Sequence, residues 1–315
     1  PARVLISLNV IINNEYVCPA EFADLPSAGV ASILKRLKYA SGWKKKLKAL
    51  IPRGFKYTVL SDLLEFLISR TPLLDGKDEP PRFIEFGGGG FIPIGNHLVG
   101  LMVTRAGLAD GTTVIDIGSG IGRTAVALSK RFANIRYFGF DVVRFGVTWC
   151  QKHFAAAPSY RFQHANIFNS FYNPRGSETA ETYQFPVPGR SADFVFATSV
   201  FTHMPRVEVA HYLRETARCL KRGGTAYFTC FIVDAESRRQ IEAGVPLFRF
   251  RYSRDGSFIE SLEEPDLAVA YDKADFEAMA AKAGLEVVAF YPGSWRGISY
   301  QDFQDAYVLR VTGEI

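Results

Sequence analysis

The sequence predicts a doubly wound α/β protein in which helices cover both faces of a seven-stranded, mostly parallel sheet. From about residue 95, short apolar runs alternate with amphipathic segments of helical period. One of these runs leads directly into the glycine-rich turn Gly118-Ser119-Gly120-Ile121-Gly122. The 315 residues are 48% hydrophobic and 22% charged, which is typical of folded proteins and excludes disordered, collagen-like and disulfide-built miniature classes.

The order of the elements follows from the same alternation. Helices are expected over 95–108, 121–132, 145–154, 205–220 and 273–283, and strands over 112–117, 135–140, 160–164, 194–198, 225–232, 285–290 and 305–311. No helix separates the last two strands, so we expect the C-terminal strand to be antiparallel and to lie at the edge of the sheet. The segments 169–191 and 233–271 are too long for simple connections.

The chain divides into two parts at the glycine run that ends at Gly90. Residues 1–90 are expected to form a mixed, partly helical extension, with a helix beginning near Ser61. This extension is a candidate for capping the active site, for forming a homodimer or for docking onto another enzyme. Residues 91–315 are expected to form the main domain, with an irregular substrate insertion over 233–271.

Composition also suggests a location and a partner class. The four cysteines show no paired or metal-ligand spacing, which favours a reducing, cytoplasmic compartment. Nine basic and no acidic residues fall between Lys35 and Lys56. They predict a solvated helix face, a surface for an anionic partner such as an acidic glycan or the inner membrane surface, or a nucleic-acid patch. Nucleic acid ranks last because no nucleic-acid module accompanies the segment.

The glycine turn differs from a nicotinamide-binding loop. Its glycines read G-x-G-x-G rather than G-x-G-x-x-G, and Asp116 stands two residues before the first of them. A carboxylate at that position can pair with a cationic amino group. Asp141 follows the next strand and can accept hydrogen bonds from both hydroxyls of a ribose. An NAD-dependent oxidoreductase is therefore disfavoured.

Several motifs together resemble class I S-adenosylmethionine-dependent methyltransferases over roughly residues 95–315. The matching segments are Asp116-x-Gly118-x-Gly120-x-Gly122, Asp141, Ala165-Asn166, Asp193–Thr198 and Leu220–Gly224. The chain departs from the family pattern at Asn166, where the family usually has aspartate, and at Arg222, where it usually has proline. The resemblance implies a Rossmann-like fold and S-adenosylmethionine as the cofactor.

The resemblance also implies roles for individual residues. Asp116 would orient the methionine amino group, Asp141 would hold the ribose, and Val142 would pack on the adenine. The full set implied at the cofactor is Asp116, Gly118, Ser119, Gly120, Gly122, Asp141, Val142, Asn166, Ile167 and Thr198.

The loop after the fourth strand contains the candidate catalytic residue. His203 titrates near neutrality and precedes Pro205, which suits the first turn of a helix. We expect His203 to act as the general base, or alternatively to pack or cap under that helix. The other four histidines are expected to have structural roles. Thr198 and Ser199 offer no carboxylate, so no metal is expected.

The irregular segments are expected to recognise the acceptor. Phe248-Arg-Phe-Arg-Tyr252 fits one strand with a basic and an aromatic face. The candidate substrate residues, which could equally cover the sheet as an edge hairpin, are Phe201, Arg249, Arg251, Tyr252, Tyr291, Trp295, Arg296 and Tyr300. Four tracts together resemble bacterial methyltransferases associated with surface-polysaccharide assembly: Ser199–Met204, Leu220–Gly224, Gly293–Trp295 and Ser299–Asp302.

These features predict a methyltransferase that O-methylates a hydroxyl of a sugar, a glycan or another polar small molecule. N-methylation and a lipid acceptor remain open alternatives. A binding protein that keeps the nucleotide fold without turnover is a further alternative, although the intact Asp116 and Asp141 argue against it.

Overall fold

The structure of the protein is a computed structural model, in which residues 61–70, 78–81, 84–85 and 90–312 are described. The basic segment 35–56 and most of the predicted extension lie outside these residues. Within them, the sheet has ten strands. They are β1 (Thr113–Ile117), β2 (Arg136–Asp141), β3 (Tyr160–His164), β4 (Ala192–Ala197), β5 (Leu220–Val233), β6 (Tyr252–Arg254), β7 (Ser257–Ile259), β8 (Val269–Asp272), β9 (Leu285–Tyr291) and β10 (Asp305–Val311).

The main part of the sheet is doubly wound, as expected. Strands β3, β2, β1, β4 and β5 lie side by side and run parallel. β10 pairs antiparallel with β5 and with β9. The chain moves outward from β1 to β3 and then returns to β4 on the other side, so the switch point lies between β1 and β4. Ligands of such sheets bind outside the carboxyl ends of the strands at this point.

Helices cover both faces of the sheet. The described helices are α1 (Ser61–Arg70), α2 (Phe91–Ala106), α3 (Arg123–Arg131), α4 (Arg144–His153), α5 (Arg206–Cys219), α6 (Ala235–Glu242) and α7 (Lys273–Lys282). One buried apolar cluster packs the four helices α1, α2, α3 and α4 on one face of the sheet. A second cluster packs α5 and α7 on the other face. Helix α1 packs next to α4, where the Lys152 ammonium donates to the Ile68 carbonyl at 3.2 Å.

The antiparallel C-terminal strand is not at the edge, which differs from the expectation. β10 lies between β5 and β9, and β9 forms the edge. The side-chain pattern explains this order. Six of the seven β10 residues are buried, as a strand covered on both faces requires, whereas β9 is largely half-exposed or exposed.

The insertion over 233–271 is more regular than expected. It contains α6 and three strands, and β8 extends the sheet by pairing in parallel with the last residues of β5. The interpretation of Phe248–Tyr252 as one strand is wrong, because strand structure begins only at Tyr252. Phe250 has a φ of +46°, a left-handed conformation that no strand contains. The amides of Arg249 and Phe250 instead donate to the Glu260 carboxylate at 2.6 and 2.8 Å.

Candidate active site

The turn between β1 and α3 is built on glycine. Gly118, Gly120 and Gly122 have φ values of +75°, +56° and +77°, in the left-handed region that other residues enter only with strain. The Gly118 and Ser119 amides both donate to the Phe140 carbonyl, at 2.9 and 3.1 Å. A Cβ at Gly118 would lie 2.4 Å from the Val200 side chain. Glycine at position 118 therefore lets the turn pack closely against the loop after β4.

Asp141 ends β2 beside this turn and is nearly buried. One carboxylate oxygen accepts from the Val143 amide and the other from the Gly120 amide, both at 2.7 Å. Burial raises the pKa of Asp141 to about 6, although these hydrogen bonds oppose the change. Each carboxylate oxygen can accept a second hydrogen bond, so the group can still receive the hydroxyls of a ribose.

Asp116 lies one residue before the end of β1 and is only 2% exposed. The Tyr137 hydroxyl donates to its Oδ2 at 2.5 Å. Burial raises the pKa of Asp116 to about 8, and the neighbouring Asp141 adds to this effect. The hydrogen bond from Tyr137 acts in the opposite direction. A cationic group placed here would favour the charged carboxylate.

A cavity of about 670 Å³ opens at the switch point of the sheet. Eight of the ten residues predicted at the cofactor line it: Asp116, Gly118, Ser119, Gly120, Asp141, Val142, Ile167 and Thr198. Gly122 lies behind the turn, where a Cβ would be 2.7 Å from the Cys150 sulfur. Asn166 does not line the cavity, and its side-chain amide donates to the Ser177 hydroxyl at 2.8 Å. An adenine contact from the Asn166 side chain therefore does not fit this arrangement.

His203 lines the same cavity from the 3-10 turn Phe201–His203. Its Nδ1 is 2.9 Å from the Asp266 carbonyl oxygen. A carbonyl can only accept, so Nδ1 carries the proton in the neutral ring and Nε2 has the free lone pair. Burial lowers the pKa of His203, which keeps the ring neutral at physiological pH. The imidazole is thus prepared to accept a proton.

His97 also lines the cavity, although the sequence indicated only a structural role for it. Its Nε2 is 2.5 Å from Asp302, which also pairs with Arg105 at 2.7 Å. Asp302 belongs to the segment 301–304 before β10, and Gln304 in the same segment accepts from the Ser199 hydroxyl at 3.1 Å. This segment crosses from α2 to the loop after β4. His97 and Asp302 are 205 positions apart, so no local pattern could have predicted the pair.

None of the predicted substrate residues lines the cavity. Phe201 is fully buried and packs on Phe228. Trp295 donates from its indole nitrogen to Asp305 at 2.8 Å. Arg296 is also fully buried, between Asp305 and Asp234. The other candidates that are not part of the cavity lining are Arg249, Arg251, Tyr252, Tyr291 and Tyr300. Phe201, Trp295 and Arg296 therefore stabilise the fold instead of facing an acceptor in this cavity.

A glycine turn and two buried carboxylates at the ends of neighbouring parallel strands define a nucleoside-cofactor site in a doubly wound fold. A sequence model of a methyltransferase domain matches residues 97–289, more than half of the 315 residues. The chain therefore belongs to this methyltransferase family and is an S-adenosylmethionine-dependent methyltransferase.

Several solved structures are similar to this chain at low sequence identity. Magnesium protoporphyrin IX methyltransferase from Synechocystis, solved with bound S-adenosylhomocysteine, is 14% identical and has a TM-score of 0.46; the match covers 82% of this chain and 98% of that one. An S-adenosylmethionine-dependent methyltransferase from Methanosarcina mazei is 16% identical with a TM-score of 0.47, covering 67% and 98%. One from Clostridium acetobutylicum is 13% identical with a TM-score of 0.45, covering 70% and 92%.

Neither a metal-ligand cluster nor a membrane-spanning helix is found in the part of the chain that the structure describes. No group of three or more histidine, cysteine or acidic side chains there is arranged to hold a metal ion. No helix there is long and apolar enough to cross a membrane.

Proposed function

We propose that this methyltransferase O-methylates a hydroxyl group of a polar small molecule, such as a sugar unit of a glycan, with His203 as the general base. The anchored imidazole in the cavity wall carries this proposal. When bound, the cofactor supplies a methyl group on a positively charged sulfur, which is already activated for displacement. An unactivated hydroxyl gains from losing its proton as the new bond forms, and general-base catalysis of this kind contributes about 10²–10⁴ in rate.

The protein groups divide the work between cofactor and acceptor. Asp141 would hold the ribose and Asp116 the methionine amino group, while Gly118 and Gly120 would let the cofactor approach the backbone. His203 approaches from the loop after β4, beside Thr198 and Ser199 in the cavity wall. The acceptor would therefore enter between this loop and the segment 301–304.

A matched pair of histidine variants tests the base. In His203→Asn the amide nitrogen can replace Nδ1 as donor to the Asp266 carbonyl, but nothing replaces the basic Nε2. His211 provides the control, because its Nε2 also lies 2.9 Å from a backbone carbonyl, that of Tyr183, and His211 does not line the cavity. Methyl transfer from labelled S-adenosylmethionine to a panel of free sugars, nucleotide sugars and amines identifies the acceptor, and S-adenosylhomocysteine binding measures the cofactor site.

We expect His203→Asn to lower kcat about 10²–10⁴-fold and to bind S-adenosylhomocysteine as the wild type does, with His211→Asn unchanged in both. Wild-type kcat/KM should fall as the pH decreases through the lowered pKa of His203. Full turnover by His203→Asn would remove the base assignment. Labelling confined to amines in the panel would replace O-methylation by N-methylation.

One observation favours N-methylation as the second candidate. Glu208 lines the cavity, where the positive charge of Arg254 acts on its carboxyl but is outweighed by burial and by neighbouring carboxylates. Burial and the nearby Asp266 and Glu181 raise the pKa of Glu208 to about 7. Such a carboxyl can bind an amine and take up its proton. A Glu208→Gln variant that loses transfer to amines alone would support this candidate.

A further inference from the structure

The contact between Tyr137 and Asp116 is a built feature of the site. The Tyr137 ring is 2% exposed, is stacked 5.3 Å from the Tyr160 ring and lies 5.2 Å from that of Phe162. Gly139 follows on the same face of β2, where a Cβ would be 2.8 Å from the Tyr137 hydroxyl. Glycine at this position therefore leaves room for the hydroxyl to reach Asp116.

The direction of this hydrogen bond is determined by the environment. Burial and the negative charge of Asp116 raise the pKa of Tyr137 well above its ordinary value, so the hydroxyl keeps its proton and donates it. Among the described residues, Tyr137 is the donor found for the Asp116 carboxylate. One carboxylate oxygen of Asp116 thereby accepts a hydrogen bond from Tyr137 of β2. The second oxygen is left for a ligand in the cavity that Asp116 lines.

We infer that Tyr137 is a positioning residue for the cofactor: its hydroxyl orients the Asp116 carboxylate so that the free oxygen receives the cofactor's amino group. This inference rests on the proposed role of Asp116. Tyr137 itself does not line the cavity. It therefore acts through Asp116. Removal of the Tyr137 hydroxyl should weaken binding only of ligands that carry the amino-acid group.

Two adenosyl ligands separate positioning from structural support. S-adenosylhomocysteine carries the amino-acid group, whereas 5′-methylthioadenosine has the same nucleoside and sulfur without it. We expect calorimetric titration of Tyr137→Phe to show about tenfold weaker binding of S-adenosylhomocysteine, since a hydrogen bond to a charged group is removed. Binding of methylthioadenosine should stay at the wild-type value.

Tyr160→Phe is the matched control, because the Tyr160 hydroxyl lies in the same stack and has no hydrogen-bond partner among the described residues. It should leave both affinities unchanged. Wild-type affinity of Tyr137→Phe for S-adenosylhomocysteine, or equal losses for both ligands, would overturn the inference. Asp116→Asn distinguishes failure of the proposed role of Asp116 from failure of the inferred role of Tyr137. If it keeps the preference for S-adenosylhomocysteine, the role of Asp116 fails; if it loses the preference and Tyr137→Phe does not, only the role of Tyr137 fails.

Discussion

Cofactor binding by this protein should depend steeply on pH, because Asp116 must be charged to receive an amino group. Burial raises the pKa of Asp116 to about 8. The neutral acid therefore predominates below pH 8 in the free protein. A bound ammonium group requires the carboxylate, so binding expels a proton and weakens as the pH falls.

The size of the effect follows from the titration of one group. With a pKa of about 8, the carboxylate form is about half of the protein at pH 8, about a tenth at pH 7 and about a hundredth at pH 6. Affinity for S-adenosylhomocysteine should thus rise about fiftyfold between pH 6 and pH 8. Close to one proton should be released per ligand bound at pH 7.

Isothermal titration calorimetry in two buffers of different ionisation enthalpy measures both quantities. Methylthioadenosine serves as the reference ligand, because its ribose would still bind at the proposed position beside Asp141, whose pKa burial raises to about 6. The ratio of the two affinities removes the contribution of Asp141 and leaves that of Asp116. In Asp116→Asn, the affinity for S-adenosylhomocysteine divided by that for methylthioadenosine should be small and independent of pH.

A ratio that is the same at pH 6 and pH 8 in the wild type would refute this reasoning. It would mean that the Asp116 carboxylate is already charged in the free protein, or that the amino group binds elsewhere.

Two pairs of substitutions, each a test variant and its control, test the geometry of the turn and of the core. Gly118→Ala and Gly107→Ala each place a side chain at a positive φ, of +75° and +71°, and both should lose about 1–2 kcal/mol of unfolding free energy. Only Gly118→Ala should also lose cofactor binding, since its Cβ would lie 2.4 Å from a valine side chain whereas Gly107 has open space; equal cofactor affinities would contradict this. Asp305→Ala should lower the free energy of unfolding in urea by about 3–5 kcal/mol, because it leaves Arg296 buried with one partner fewer. Asp275→Ala breaks a half-exposed ion pair and should lower it by only about 0–1 kcal/mol. Similar losses in the two variants would refute the assignment of Asp305 and Arg296 as a buried ion pair.

Outside the insertion 233–271, most elements of the methyltransferase domain could be predicted closely from the sequence. The strand Tyr160–His164 and the strand Asp305–Val311 have the predicted bounds. Most of the other predicted helices and strands begin and end within two residues of their own predicted bounds. These elements are predictable because apolar period and glycine placement are local properties of the chain. Helix α2 begins at Phe91 and not at residue 95 as predicted. Pro93 is compatible with a helix that begins just before it and with one that begins just after it, so it does not locate the start.

The substrate residues could not be predicted in the same way. Arg296 and Trp295 are residue types that often bind ligands, and nothing in their neighbourhood along the chain shows that Asp305 and Asp234 surround them. A buried arginine is recognised only when its carboxylates are brought together in space. Composition alone therefore could not separate a core ion pair from an acceptor site.

By itself, the sequence determined the fold class, the glycine turn, and Asp116 and Asp141 at the ends of their strands. These depend on short-range sterics and on residues within one turn or one strand. Only the tertiary structure decided that β10 lies inside the sheet, that His97 pairs with Asp302, and that Tyr137 holds the Asp116 carboxylate. Each of these depends on contacts between distant segments, where burial and the need to satisfy every buried polar group select the partner.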